Sequence, residues 1–371
     1  MPALELPHDP RLAAMPLLHQ GVMTPAEARA QFPVFERCAY LNAGSVGPLS
    51  RRSHDVMQAG LAEALDQGRG GAAVWEKAFA SETSLRRRIA GFINVPEETV
   101  LLTSSTTEGC NIVITGLRLG ADDEVVTTNA EHPGLLAPLI ASGARVKQAD
   151  VMGRPAEEAL QAVLGEVTRR TKLIALSHVL WVNGHILPLA DIKRETGLPL
   201  LVDGAQSVGA IPVDATVADW YTVSGQKWLC GPETTGALYV KEHERLRPQM
   251  QAYASTNHTD AGRLAMVHLS PVVVSGLLAA VEDFPDWGFS QAAKMVSHCR
   301  SALLASGAEI RTEANQGTLI SFRVPGDPIE LVKAAGARQI VIRSLPDGWL
   351  RASVGWWTDD SDIERLVEFL S

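Results

Sequence analysis

Lys227 lies in Ser224-Gly225-Gln226-Lys227-Trp228-Leu229-Cys230-Gly231-Pro232, between a short apolar run and a Gly-Pro turn. A lysine at such a strand end stands where α/β sheets place their sites, and burial turns its amine into a base or nucleophile. Taken alone it reads equally well as a surface lysine. Upstream, Leu200-Leu201-Val202 runs straight into Asp203-Gly204-Ala205-Gln206, so a carboxylate closes a wholly apolar strand. A carboxylate there is costly without a cationic partner, and a protonated pyridine nitrogen is such a partner. An opposite charge nearby moves a carboxylate by ~1–3 pKa units, on the order of 1.4–4 kcal/mol, enough to hold a ring as an electron sink. The competing reading of Asp203 is a helix N-cap before Gln206.

Two further segments carry chemistry. In Thr103-Ser104-Ser105-Thr106-Thr107-Glu108-Gly109 a strand ends in hydroxyl residues and a helix begins. Free N–H groups at a helix N-terminus beside hydroxyls suit a phosphate, although such clusters also simply cap helices. Glu131-His132-Pro133 places an imidazole after another strand, where it could stack on an aromatic cofactor or be an ordinary satisfied polar side chain.

These segments need a scaffold, and the sequence supplies one. From about residue 100, β-branched runs alternate with amphipathic stretches: 100–103 then 111–117, 124–128 then 135–142, 173–179 then 189–196, then 200–203. That alternation predicts a mostly parallel sheet covered by helices. The runs 220–224 and 236–240 leave no room for a helix between them, which predicts hairpin-like pairing. Beyond Pro271, helices at 272–286 and 291–306 lead into strand 318–324, helix 329–337, strands 340–344 and 350–354, and helix 362–370, a small α+β unit. Thr24-Pro25-Ala26-Glu27 is a capping box that starts a short helix.

With 371 residues, 46% of them hydrophobic, the chain is long enough for two domains. A formal charge of −9 and the absence of a Lys/Arg block argue against nucleic acid or an anionic membrane as partner. Glu5, His8, Asp9 and Arg11 break up the N-terminal apolar residues, and the run at 272–281 is too short for a bilayer, so the cytoplasm is the expected location. Cys38, Cys110, Cys230 and Cys299 show no C-x-x-C spacing, which suggests buried thiols with neither a disulfide framework nor a metal site.

In this order and separation, the hydroxyl turn, Glu131-His132, Asp203-Gly204-Ala205-Gln206 and Ser224-Gly225-Gln226-Lys227 resemble the class V aminotransferase branch of fold type I pyridoxal-5′-phosphate (PLP) enzymes. The resemblance extends from Tyr40-Leu41-Asn42-Ala43-Gly44 almost to the C-terminus. It implies an α/β fold with a large, mostly parallel seven-stranded sheet domain at 50–265. A small domain would be formed by 1–49 and 266–371, and the enzyme would be a homodimer. It further implies that Lys227 carries PLP as a Schiff base, Asp203 binds the pyridine nitrogen and Gln206 the ring hydroxyl. His132 would stack on the ring, while Thr106, Thr107, Ser224 and Gln226 would hold the phosphate.

Within the family, cysteine desulfurases use a mobile small-domain cysteine, and none occurs between residues 300 and 371. The segment Ser177-His178-Val179-Leu180-Trp181-Val182-Asn183-Gly184 and the pair Arg343 and Arg351 look most like cysteine or cystine C–S lyases. There a Trp (here Trp181) sits at the strand end and two arginines bind substrate carboxylates, for which a planar guanidinium is well shaped. The alternative is that both arginines are exposed strand residues. Asn42 is a further substrate-site candidate. Two departures from the family pattern are Met266-Val267-His268-Leu269, which lacks a Thr in register to reach the second subunit's phosphate, and a short loop at 254–261. The expected activity is β-elimination on a cysteine- or cystine-like amino acid, giving pyruvate, ammonia and a sulfur product. An aminotransferase, an isopenicillin N epimerase-like enzyme, a lyase on a larger thioether or sulfoxide and a non-catalytic PLP-binding protein remain alternatives. Arg351 is expected to take the α-carboxylate and Arg343 a second, distal one.

Overall fold

The computed structural model of the chain describes residues 23–250, 252, 255 and 258–371; the N-terminal segment containing Glu5 to Arg11, and residues 254, 256 and 257 of the short loop, lie outside them. The arm begins with α1 (Pro25–Ala30), where Thr24 and Glu27 form the expected capping box. It continues through β1 (Ala39–Tyr40) into α2 (Arg51–Gln67) and α3 (Ala72–Phe92).

Next come β2 (Val100–Thr103), α4 (Thr106–Gly116), β3 (Glu124–Thr128), α5 (Pro133–Ala141), β4 (Arg145–Ala149) and α6 (Ala156–Glu166). They are followed by β5 (Thr171–Ser177), α7 (Leu189–Thr196), β6 (Leu200–Asp203), β7 (Trp220–Ser224) and β8 (Gly236–Val240). The strands form one seven-stranded sheet in the order β2-β8-β7-β6-β5-β3-β4. Its pairs are parallel except where β8 runs against β7 and β2, the closely spaced pairing the sequence predicted. Helices on both faces explain why β6 and β7 are buried along their whole length, and why they read as apolar runs rather than alternations. The last residues of β2, β3, β5, β6 and β7 are Thr103, Thr128, Ser177, Asp203 and Ser224. One edge of an otherwise apolar sheet is therefore polar, and it is the carboxyl edge at which α/β sheets bind ligands.

After the sheet, α8 (Pro271–Glu282) lies on α2 and α3 and buries Val274, Leu277 and Val281 in the core of the large sheet. The remaining elements are α9 (Gly288–Ala305), β9 (Glu309–Ile310), β10 (Leu319–Arg323), α10 (Pro328–Ala337), β11 (Ile340–Val341), β12 (Arg343–Ser344), β13 (Leu350–Ser353) and α11 (Asp360–Leu370). A four-stranded antiparallel sheet, β12-β13-β10-β9, buries Ile320, Phe322, Leu350 and Ala352 against α9 and α11. The predicted strand 340–344 is divided: β11 pairs with β1 of the arm, and β12 pairs with β13. The chain changes partner at Ile342, and the arm is thereby tied to the C-terminal part. Among the described residues no helix is long and apolar enough to cross a membrane, and no cluster of side chains is suited to a metal ion.

Candidate active site

The carboxyl edge of the large sheet brings the chemical residues together. Asp203 is buried, and its Oδ1 accepts from Ala205 N–H at 3.0 Å and Thr222 Oγ1 at 3.2 Å. No helix follows it, so it is not an N-cap, and no ion pair reaches it among the described residues. Lys227 sits in the turn after β7. Burial pulls its amine down to about 8; Asp203 opposes the fall, and Arg351 and Arg343 add to it. Its backbone is clamped by the loop after β1: Gly47 N–H donates to Gln226 O at 2.7 Å, and a Cβ at Gly47 would stand 2.0 Å from Lys227 O. Only glycine allows that approach.

Gln206 ties this loop to the turn, since its Nε2 donates to Gly44 O at 2.8 Å and its Oε1 accepts from Trp228 Nε1 at 2.9 Å. One N–H of Nε2 is left for a ligand. At the start of α4, Ser105 caps Glu108 N–H while the Glu108 carboxylate takes Ser104 N–H and Oγ–H. The two serines are therefore spent on capping, and Thr106 and Thr107 present the first-turn N–H groups of the helix. Ser224 is buried at the end of β7, and Gln226 Oε1 accepts from Thr234 N–H at 3.1 Å.

His132 is the N-cap of α5. Its Nδ1 accepts from Gly134 N–H at 3.0 Å, which leaves the proton of the neutral ring on Nε2. Burial, then Lys227, hold its pKa below the usual histidine value. The ring meets Trp181 edge-on, with centroids 5.3 Å apart. Glu131, noted in the sequence only as a neighbour of His132, is buried and joins two strand ends: it accepts from Thr128 Oγ1 at 2.6 Å and from Ser177 N–H and Oγ–H. Burial raises its pKa to about 7. It positions the turn that carries His132.

Arg343 and Arg351 face each other across β12 and β13. Arg351 is fully buried; its Nη1 donates to Trp181 O at 2.8 Å, its Nη2 to Ser45 Oγ at 3.2 Å, and its Nε has no partner. Arg343 Nη1 donates to the same Ser45 Oγ at 3.2 Å, and its guanidinium lies over the Trp181 ring. Burial, then Arg343, pull Arg351 down to about 9. Neither arginine forms a salt bridge among the described residues. Asn42 enters through Ser45, whose Oγ–H donates to Asn42 Oδ1 at 2.9 Å. Cys230 is buried in the left-handed region at φ 56°, its thiol pushed well up by burial.

Ser45 and Glu131 are the site residues that sequence reasoning passed over. The only available signals were their places beside Asn42-Ala43-Gly44 and His132.

The "Aminotransferase class-V" family model matches residues 54–264. A probable cysteine desulfurase of Methanothermobacter thermautotrophicus is 30% identical over 225 residues, covering 58% of this chain and 56% of that protein. Isopenicillin N epimerase of Amycolatopsis lactamdurans is 29% identical over 250 residues, covering 60% and 59%. The chain thus spans little more than half the length of these curated relatives. A cystine C–S lyase, solved with its reaction product cysteine persulfide, superposes with a TM-score of 0.87 at 26% identity, over 92% of this chain and 99% of that one. A second structure of that lyase has glycine covalently linked to its PLP cofactor.

Proposed function

The chain belongs to the class V aminotransferase family, and from that premise we propose that it is a PLP-dependent C–S lyase, eliminating the sulfur group of a cysteine- or cystine-like L-amino acid to give pyruvate, ammonia and a sulfur product. The observation that carries this is a set of charged groups that face one another with no salt bridge among the described residues: the buried Asp203 carboxylate, the Lys227 amine whose pKa burial lowers, and the guanidiniums of Arg343 and Arg351. Such charges are unfavourable until ligands complete them. The residues fit PLP: Lys227 for its aldehyde, Asp203 for its pyridine nitrogen, the free N–H of Gln206 for its hydroxyl, and Thr106, Thr107, Ser224 and Gln226 for its phosphate. When bound, PLP supplies the electron sink for a carbanion at the substrate α-carbon.

The protein's own residues do the rest. Lys227 Nζ, with a pKa lowered toward neutrality, takes the α-proton and can hand it to the departing sulfur group as the C–S bond breaks. The Asp203 carboxylate stabilises positive charge at the ring nitrogen, and His132 covers the ring with its proton fixed on Nε2. Arg351 holds the α-carboxylate and Arg343 a second carboxylate where the substrate has one. The absence of a serviceable thiol favours a lyase over a desulfurase, since Cys110, Cys230 and Cys299 are buried and Cys38 lies on the arm before β1.

We place the small domain in 1–49 and 266–371, with α8 the element that leans on the large domain at 50–265. The enzyme is a homodimer in this reading, held through the exposed apolar residues Leu61, Leu65, Trp75, Phe79 and Val267. Product analysis on a panel of amino acids tests the function. Pyruvate with sulfide or persulfide is expected; a keto acid retaining sulfur, or inversion at the α-carbon alone, would replace the lyase by an aminotransferase or an epimerase. In the same assay Arg351→Ala should impair every substrate, and Arg343→Ala should lose at least about tenfold, roughly 1.4 kcal/mol, only on dicarboxylates.

A further inference from the structure

Arg343 and Arg351 occupy directly opposed positions on adjacent antiparallel strands, so their side chains leave the same face. Two like charges so placed repel, and the full burial of Arg351 leaves little water to screen them. In the structure they converge: Arg343 Nη1 and Arg351 Nη2 each lie 3.2 Å from the same atom, Ser45 Oγ. A hydroxyl oxygen has two acceptor sites and one proton. Here both acceptor sites are taken by guanidinium N–H groups, and the proton is given to Asn42 Oδ1 at 2.9 Å. Ser45 is itself fixed by its place between Gly44, whose N–H donates to Ser353 Oγ at 3.1 Å, and Gly47 on the Lys227 turn. Around this point, donors remain unused: Arg351 Nε–H and Trp181 Nε1–H are buried and have no partner.

We propose that Ser45 is a specificity-determining positioning residue: it holds Arg343 and Arg351 together as one anion site with two lobes, selecting substrates with two acidic groups over those with one. A single carboxylate neutralises one guanidinium and leaves the other beside it unpaired. Two carboxylates in one molecule neutralise both at once and use the orphaned donors. Removing the hydroxyl lets the guanidiniums spread, so the second acidic group gains less. This rests on the reading of the arginines as substrate clamps, not on the outcome of the reaction.

The test is calorimetric titration of the purified holo-protein with acetate, malonate and glutarate, which requires no turnover. The wild-type protein should bind the better dicarboxylate at least about tenfold more tightly than acetate, and Ser45→Ala should reduce that ratio to about threefold or less while acetate affinity changes little. Ser45→Thr, which keeps the oxygen, should restore the ratio. In an Arg343→Ala background, Ser45→Ala should cause no further loss. With cystine as substrate, Ser45→Ala should raise KM with kcat within about threefold. No dicarboxylate preference in the wild type, an equal loss for acetate and the dicarboxylates, or a full loss in the Arg343→Ala background would each overturn the proposal. A protein that shows the preference but releases no pyruvate would sink the lyase reading and leave the role of Ser45 standing.

Discussion

Lys227 and Asp203 were legible in the sequence because each breaks a local rule: a lysine stands at a strand end, and an acid closes an apolar run. Their surroundings in space supply the reason, an amine whose pKa burial lowers and a buried carboxylate that no salt bridge reaches among the described residues. Ser45 and Glu131 break no local rule. Ser45 matters through arginines 298 and 306 residues away, and Glu131 through Ser177, 46 residues away, so no window of sequence contains their meaning. Cys230 shows the opposite case, a residue whose proximity to Lys227 invites a catalytic role. Its thiol is buried, contacts Trp228 O at 3.8 Å, and is held far above the pKa at which a thiolate forms at neutral pH. Cys230→Ala should therefore keep kcat/KM within about threefold and cost on the order of 1 kcal/mol in stability. A collapse of turnover with PLP still bound, followed by its absorbance, would restore a sulfur-carrying role to this thiol.

At the scale of elements, the six strands β2, β3, β5, β6, β7 and β8 were visible because burial on both faces favours short runs of β-branched and apolar residues without strict alternation. The missed elements included core helices, α3 and α6, which bury Leu85 and Ile89 and Leu160 and Val163, as well as surface ones. α2 buries only Ser53, and β4 is an edge strand whose exposure pattern follows no clean alternation. Also invisible was the connection from β5 to α7, which binds the C-terminal sheet along residues 181–186. Trp181 O accepts from Arg351 and Val182 O from Ser321 Oγ; Asn183 O accepts from Thr312 Oγ1 at 2.7 Å and Gly184 O from Gly317 N–H at 2.8 Å. His185 Nε2 accepts from Glu313 N–H, and Ile186 N–H donates to Gln316 Oε1 at 2.8 Å. Backbone carbonyls that would need water in a surface loop find donors in the small sheet and its β9–β10 connection instead. Thr312→Val leaves Asn183 O buried without its donor, a loss of about 1–3 kcal/mol by chemical denaturation. Because the same loop holds Arg351 through Trp181 O, Thr312→Val should also raise KM for the amino acid with kcat nearly unchanged. Lost stability with an unaltered KM would show that the loop braces the sheets without placing the clamp.

At the scale of the molecule, the hairpin of α2 and α3 carries exposed apolar side chains: Leu65 is 89% exposed, and Trp75 and Phe79 stack on each other at 49% exposure each. The ring of Phe79 also meets His268, in the segment 266–269 that departs from the family pattern for a second-subunit contact. If this face is the dimer contact, Trp75→Glu should shift sedimentation from dimer to monomer and lower activity in step with the monomer fraction. A Trp75→Glu protein that remains dimeric would move the interface elsewhere on the surface. Neither the stacking nor the exposure could be read from the sequence, since an aromatic at helical spacing is as often core as surface.

The parallel pairing of β1 with β11 joins Ala39 to Ile340 and Tyr40 to Val341, and the bridge from Asn42 to Ser353 extends it. A ribosome adding ~5–20 residues per second needs roughly 15–60 s to make the chain between those partners. During that interval the arm has no strand to join. Lys227 has been synthesised while Arg343 and Arg351 have not, so the nascent chain carries the amine before it carries the two guanidiniums proposed to discriminate among its ligands. On the proposed roles of these residues, selectivity is acquired late in synthesis, and a free aldehyde that meets the chain earlier would meet Lys227 without the two arginines.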